Sequence, residues 1–225
     1  METKTSGLRG RQAEAARNDQ AILDAARAVF IRDPGAPISA VAEEAGVGVG
    51  ALYRRYAGKE ELLRTLCEDG LRRFMAIAES APARHSDPWD AFAAFVGEVI
   101  DSDVHSLTVH LAGTFTPTPE MHRLAAEASS LAAQILDHAK TAGALRPDVD
   151  ARDIPMIFDQ ITAIRLGDAG RTAALRQRYL TLLLDALRAD TPATPLPASP
   201  PSDEELGVRW RHTESSRSSQ HRPRR

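Results

Sequence analysis

Apolar residues recur along this chain at spacings of three and four, and period-two alternation is scarce. Between Gln20 and Ile31 they fall at Ile22, Ala25, Ala26, Val29 and Phe30, which predicts an amphipathic helix. Asp33-Pro34-Gly35-Ala36-Pro37 ends it, because proline restricts the residue before it and glycine favours a turn. A short helix is expected from about Ser39, read as an N-cap, through Val41, Ala42 and Ala45 to a stop at Gly46. Three residues on, a second short helix carries Leu52, Tyr53 and Tyr56 and ends near Ala57-Gly58. Lys59-Glu60-Glu61-Leu62 then opens a longer helix, to about Ser80, with Leu63, Leu66, Leu71, Phe74 and Ile77 on its stripe.

The second half reads as helix too. The segment from Pro82 to Pro88 is expected to be a linker, with Asp87 capping a helix whose first turn holds Pro88. Trp89, Phe92, Phe95, Val96, Val99 and Ile100 form its stripe, and a further helix is expected from Leu107 to Phe115. Glu120 to Ala142, Ile154 to Arg165 and Leu175 to Leu187 complete the pattern. Periodicity stops at Asp190; prolines and serines dominate from there, so residues 190–225 are expected to be a disordered tail.

Composition narrows the class. Aromatics are 5% of the 225 residues and alanine is abundant, which favours helix and an all-α fold of about nine helices. A single cysteine, Cys67, excludes an internal disulfide framework and a cysteine-based zinc site, and suits a reducing cytoplasm. No apolar run approaches the ~20 residues that span a bilayer, and no secretory signal is visible, so the expected location is cytoplasmic with no membrane partner. The net charge of −3 is uneven: an acidic centre lies between a near-neutral start and a basic end, compatible with DNA contact at one end.

The stretch from Ile38 to Leu62 carries the functional signal. A helix-turn-helix needs two short helices joined by a tight turn that often contains glycine. Gly46 supplies the turn, and small residues at Gly48, Val49, Gly50 and Ala51 let the second helix enter a groove. Tyr53, Arg55, Tyr56 and Lys59 add hydroxyls and cations at phosphate reach, with Ser39 on the preceding helix.

Ala45-Gly46-Val47, Leu52-Tyr53-Arg54-Arg55-Tyr56 and Lys59-Glu60-Glu61-Leu62, preceded by Ala25-Ala26 and Phe30, strongly resemble the DNA-binding domain of the TetR family over residues 18–65. The resemblance implies phosphate contacts for Tyr53 and Lys59, and base-facing positions at Val49, Gly50 and Ala51. Two departures stand out. Gly48 replaces the frequent serine or threonine of the turn, and the base-facing positions hold no hydrogen-bonding side chain, which shifts specificity towards thymine methyls and DNA shape.

The resemblance also implies an organisation. Residues 1–17 are a basic flexible arm, 18–65 the helix-turn-helix domain, 66–189 a helical ligand-binding and dimerisation domain, and 190–225 the tail. Trp89, Phe92, Phe95, Phe115, Met121 and Phe158 are candidate linings of an apolar cavity, with His110 and Gln160 as polar groups, although ordinary core packing explains the same residues. Ile157, Ile161, Ile164, Leu180, Leu183 and Leu187 are expected in or just beneath a two-fold interface.

Enzyme readings find little support. Gly46-Val47-Gly48-Val49-Gly50 lacks the lysine–serine pair of a phosphate loop, and no motif marks Cys67 as a nucleophile. His105, His110, His122 and His138 stand at no metal-ligand spacing, and no cofactor is implied. The expectation is a dimeric, effector-responsive repressor on a palindromic operator. The alternatives are a DNA-binding regulator without a small-molecule inducer and a helical interaction module that has lost DNA binding.

Overall fold

The structure, a computed structural model, describes residues 3–111, 113–190 and 194–208, with side chains from residue 18 onward except at 108–110. It contains ten helices and no strand among those residues: α1 (Thr3–Arg32), α2 (Ile38–Glu44), α3 (Val49–Arg55), α4 (Lys59–Arg84), α5 (Pro88–Asp101), α6 (Val104–Leu111), α7 (Pro119–Thr141), α8 (Asp153–Thr162), α9 (Ala169–Leu187) and α10 (Asp203–Gly207). They fall into two compact units, divided after Leu66 inside α4. No described helix is long and apolar enough to cross a membrane.

In the N-terminal unit, Ile22, Ala26, Val29 and Phe30 of α1, Ile38, Val41 and Ala42 of α2, Leu52 of α3, and Leu62, Leu63 and Leu66 of α4 are all buried. These are the apolar positions of the periodic stripes, so burying them against one another is what stabilises helices too short to persist alone. Gly46 adopts a left-handed conformation at φ +67°, and the amides of Gly46 and Val47 donate to the carbonyls of Glu43 and Ala42 at 3.1 and 2.9 Å. This paired C-cap ends α2 and turns the chain into α3, with a backbone conformation that a side chain would strain.

In the C-terminal unit, Asp87 caps α5 as expected, accepting from the amides of Trp89 and Asp90. The core joins Trp89, Phe92, Phe95 and Val96 of α5 to Ile135 and Leu136 of α7, Ile154, Phe158 and Ile161 of α8, and Leu180 of α9. Phe74, Phe95 and Phe158 meet edge to face, with ring centres 5.4 to 6.3 Å apart.

Four sequence expectations change. Ser39 is not the N-cap of α2: Pro37 holds that position and α2 starts at Ile38. The backbone of residues 3–17 is helical rather than a flexible arm, consistent with the helix-forming run Gln12 to Arg17. The expected linker at Pro82 is still α4, because Ala78 and Ala81 are buried beside it and the helix ends two residues later, which limits the cost of the lost amide. Part of the expected disordered tail is ordered: Ser202 and Glu205 form a reciprocal capping box that starts α10.

Candidate nucleic-acid interface and effector cavity

Along α3, Val49 and Gly50 are exposed, Ala51 is half-buried and Leu52 is fully buried, so Leu52 pins the helix while its neighbours stay available. Gly48 takes the N-cap position without a side-chain hydrogen bond, as the bare turn predicts. Tyr53 is 55% exposed, and Ser39 is exposed on α2.

Three other expected DNA contacts are engaged within the unit. Tyr56 is buried, burial raises its hydroxyl pKa, and its amide closes α3 on the Leu52 carbonyl at 2.8 Å. Arg55 is ion-paired with Asp19 of α1. The Lys59 ammonium donates to the carbonyls of Pro34 and Ala36 at 2.9 and 2.7 Å and sits 5.1 Å from the centre of the Phe30 ring. Its pKa is lowered by burial, partly countered by Asp33. Lys59 thus fastens the α1–α2 connection to the start of α4, and the Glu61 carboxylate accepts the Ala57 amide at the same helix start.

The C-terminal unit contains a partly open cavity of about 350 Å³. Its walls are Leu71 and Phe74 of α4, Met121 and Ala128 of α7, and Ile154 and Phe158 of α8, with the buried Cys67 at one side. Burial pushes the Cys67 thiol up to about 12, so it is protonated and a poor nucleophile at neutral pH. Two of the polar groups on the wall are paired: His105 Nε2 lies 2.7 Å from Asp159, and the Arg152 guanidinium is 2.7 Å from Asp150. Asp203 and Leu206 of α10 also form part of the wall.

Of the expected cavity residues, Met121 and Phe158 line it. Trp89, Phe92, Phe95 and Phe115 are core residues away from it, and Gln160 is exposed on the outer side of α8. His110 falls outside the described side chains. Small side chains that sequence reasoning passed over, Gly70, Ala125, Ala128 and Ala132, leave the space. Helical period marks which residues face inward, but not where facing side chains fail to meet.

The expected dimer residues divide as well. Ile161 and Leu180 are buried in the core of the protomer, while Ile157, Ile164, Leu183 and Leu187 pack against its edge and stay partly exposed. The apolar side chains most open on α9 are Tyr179, at 46%, and Leu182, at 57%.

Comparison with known proteins gives a consistent picture. Residues 22–66 match the family described as bacterial regulatory proteins, tetR family, and residues 87–189 match the C-terminal domain of SbtR-like transcriptional regulators. No curated protein sequence matches the chain. Among solved structures, a TetR transcription regulatory protein from Mycobacterium vanbaalenii is 26% identical, with 79% of this chain and 98% of that chain covered and a TM-score of 0.55. The TetR regulator SCO0520 from Streptomyces coelicolor is 25% identical over 76% and 99%, with a TM-score of 0.55. The TetR-like regulator LfrR from Mycobacterium smegmatis, solved in complex with proflavine, is 23% identical over 73% and 95%, with a TM-score of 0.57. With a helix-turn-helix in one unit, an all-helical second unit, and family matches over residues 22–66 and 87–189, the chain belongs to the TetR family of DNA-binding transcriptional regulators.

Proposed function

We propose that this regulator is a homodimeric repressor that leaves a palindromic operator when a small apolar molecule occupies the cavity of its C-terminal unit. The observation that carries this reading is the cavity itself: about 350 Å³, walled mainly by apolar side chains, with His105 and Arg152 already paired to carboxylates. That volume lies within the ~300–1,000 Å³ range of small-molecule sites. With these two polar groups already engaged, a neutral apolar guest is favoured over an ionic one, which would have to displace a partner already in place. Proflavine bound to LfrR is consistent with a small-molecule effector for this fold.

Dimerisation follows from the reading heads and from α9. One helix-turn-helix covers a half-site, and two heads on one face of the duplex must lie about 34–36 Å apart. Tyr179 and Leu182 on α9, with Ile157 of α8 and Ile164 just past its end beside the core, supply apolar surface for a two-fold contact. An effector lowers operator affinity only by binding better to a conformer with the wrong head spacing, so it acts by shifting a population.

The test combines two titrations. Duplexes are first selected from a random library with the full chain. N-phenyl-1-naphthylamine, an apolar fluorescent probe, is then titrated against the protein with and without a selected duplex. The expected results are saturable fluorescence enhancement, weakened when DNA is bound, and release of DNA as probe is added. Saturable probe binding with no effect on DNA in either direction would leave a regulator whose cavity does not control it.

A further inference from the structure

The base-facing positions of α3 hold valine, glycine and alanine, none of which can hydrogen-bond a base through its side chain. The structure nonetheless places a hydrogen-bonding group on that face. A β-carbon built at Gly50 would lie 3.7 Å from Nη1 of Arg54, so the Arg54 guanidinium extends back along α3 over the bare glycine. Helix geometry accounts for this: side chains lean towards the N-terminus, and position i covers the surface above i−4. A long side chain at 50 would occupy the space that the guanidinium now takes.

Among the described side chains of the N-terminal unit, Arg54 is also the cation that remains uncommitted. Arg27 pairs with Asp24, Arg32 with Glu44, Arg55 with Asp19 and Arg64 with Glu60. Lys59 is held by two carbonyls. Arg54 is exposed, and among the described residues no hydrogen bond or ion pair holds its guanidinium. A planar fork with five donors, held near the N-terminal turn of a reading helix, matches the two acceptors that guanine shows in the major groove.

We infer that Arg54, lying across Gly50, is the specificity-determining residue of this regulator and reads one guanine in each operator half-site through its O6 and N7. The inference rests on α3 being the reading helix. It adds a hydrogen-bonding base contact to the thymine-methyl and DNA-shape readout expected of this helix.

The experiment is a selection from a random duplex library with the full-length wild type, Arg54→Ala, Arg54→Lys and Arg32→Ala, followed by affinity measurements over a range of salt. The wild type should enrich a motif with one strongly preferred guanine per half-site. Arg54→Ala should lose that preference and bind the wild-type motif about 5- to 150-fold more weakly per half-site, with little further loss when the guanine is replaced. Arg54→Lys should keep the salt slope of the wild type but discriminate less, because an ammonium lacks the bidentate fork. Arg32→Ala should select the wild-type motif. A loss in Arg54→Ala that is uniform across sequences, with a shallower salt slope and rescue by lysine, would identify a phosphate contact and overturn the inference. An unchanged motif in Arg54→Ala would overturn it as well. If the wild type enriched no sequence, the reading of α3 as the recognition helix would fall together with it.

Discussion

The Lys59 ammonium donates to the carbonyls of Pro34 and Ala36, the end of a loop that Gly35 and Asp33 tighten through a 2.8 Å hydrogen bond. Removing it leaves two partly buried carbonyls short of a donor, so Lys59→Ala should destabilise the chain by about 2 kcal/mol, read as a lower urea midpoint. An unchanged midpoint would mean that the clamp contributes nothing and that the residue is available to DNA. Tyr53 is the opposite case. Its side chain projects from α3, so Tyr53→Phe should leave stability unchanged and weaken binding by about 1 kcal/mol on every sequence, with the salt slope preserved because no charge is lost. Tyr53 and Tyr56 read alike in the sequence, as aromatic residues three apart on one short helix. Their different fates depend on which side α1 and α4 cover, and the sequence of α3 does not contain that information.

At the scale of elements, α9 is fastened to the end of α8 by a buried arginine. Arg176 donates to the carbonyls of Thr162 and Ile164 at 2.7 and 3.2 Å and pairs with Asp103 at 2.9 Å. Asp103 itself stands at φ 53°, a left-handed conformation between α5 and α6 that few residues accept without compensation. Arg176→Ala strands two carbonyls and leaves Asp103 with the Ser106 hydroxyl but no cation, and should cost about 3 kcal/mol in a denaturant melt. A loss below about 1 kcal/mol would show that water replaces the guanidinium freely. The connection between α7 and α8 carries a pH signature. Hydrogen bonds from Arg146 and Arg152 hold the carboxyls of Asp148 and Asp150 down at about 2, against an ordinary 3.8. Because the folded chain favours the ionised form, this contribution is complete above 3.8 and is lost as the pH falls towards 2. Both carboxylates are more than a third exposed, so the effect is small. Asp150→Asn should flatten the acid limb of the stability curve within that window and leave stability at neutral pH nearly unchanged; a parallel curve would remove the pair from the account.

At the scale of the molecule, the apolar surface left open on α9 leads to a specific variant. Leu183 packs against the core, so a charge there would damage the protomer, whereas Leu182 is exposed and tests association alone. Leu182→Glu should sediment as a monomer with an unchanged helical spectrum and lose operator binding, because separate heads forfeit the effective concentration of a linked pair. Dimers at micromolar concentration in this variant would remove α9 from the interface. The tail gives a second test. Arg146 holds the Thr194 carbonyl at 2.8 Å, and Asp203 and Leu206 complete a cavity wall that also includes Cys67. Deleting residues 191–225 should therefore speed thiol labelling of Cys67 several-fold at neutral pH. An unchanged rate would show that α10 does not limit access.

The all-α class, the helix-turn-helix and most helix boundaries follow from local information: the period of apolar positions, the Asp87 and Gly46 caps, and the spacing from Ala45 to Leu62. These features depend on a few neighbouring residues at a time, so they can be read before the chain is folded. Tertiary packing decided the rest. It determined that Trp89, Phe92 and Phe95 meet one another while Gly70, Ala125 and Ala132 leave space, that Lys59 turns inward, and that Arg54 crosses Gly50. A residue's type and period determine which face it occupies. Whether that face finds a side chain, a carbonyl, a cavity or water depends on residues distant in sequence, and only the folded arrangement brings them together.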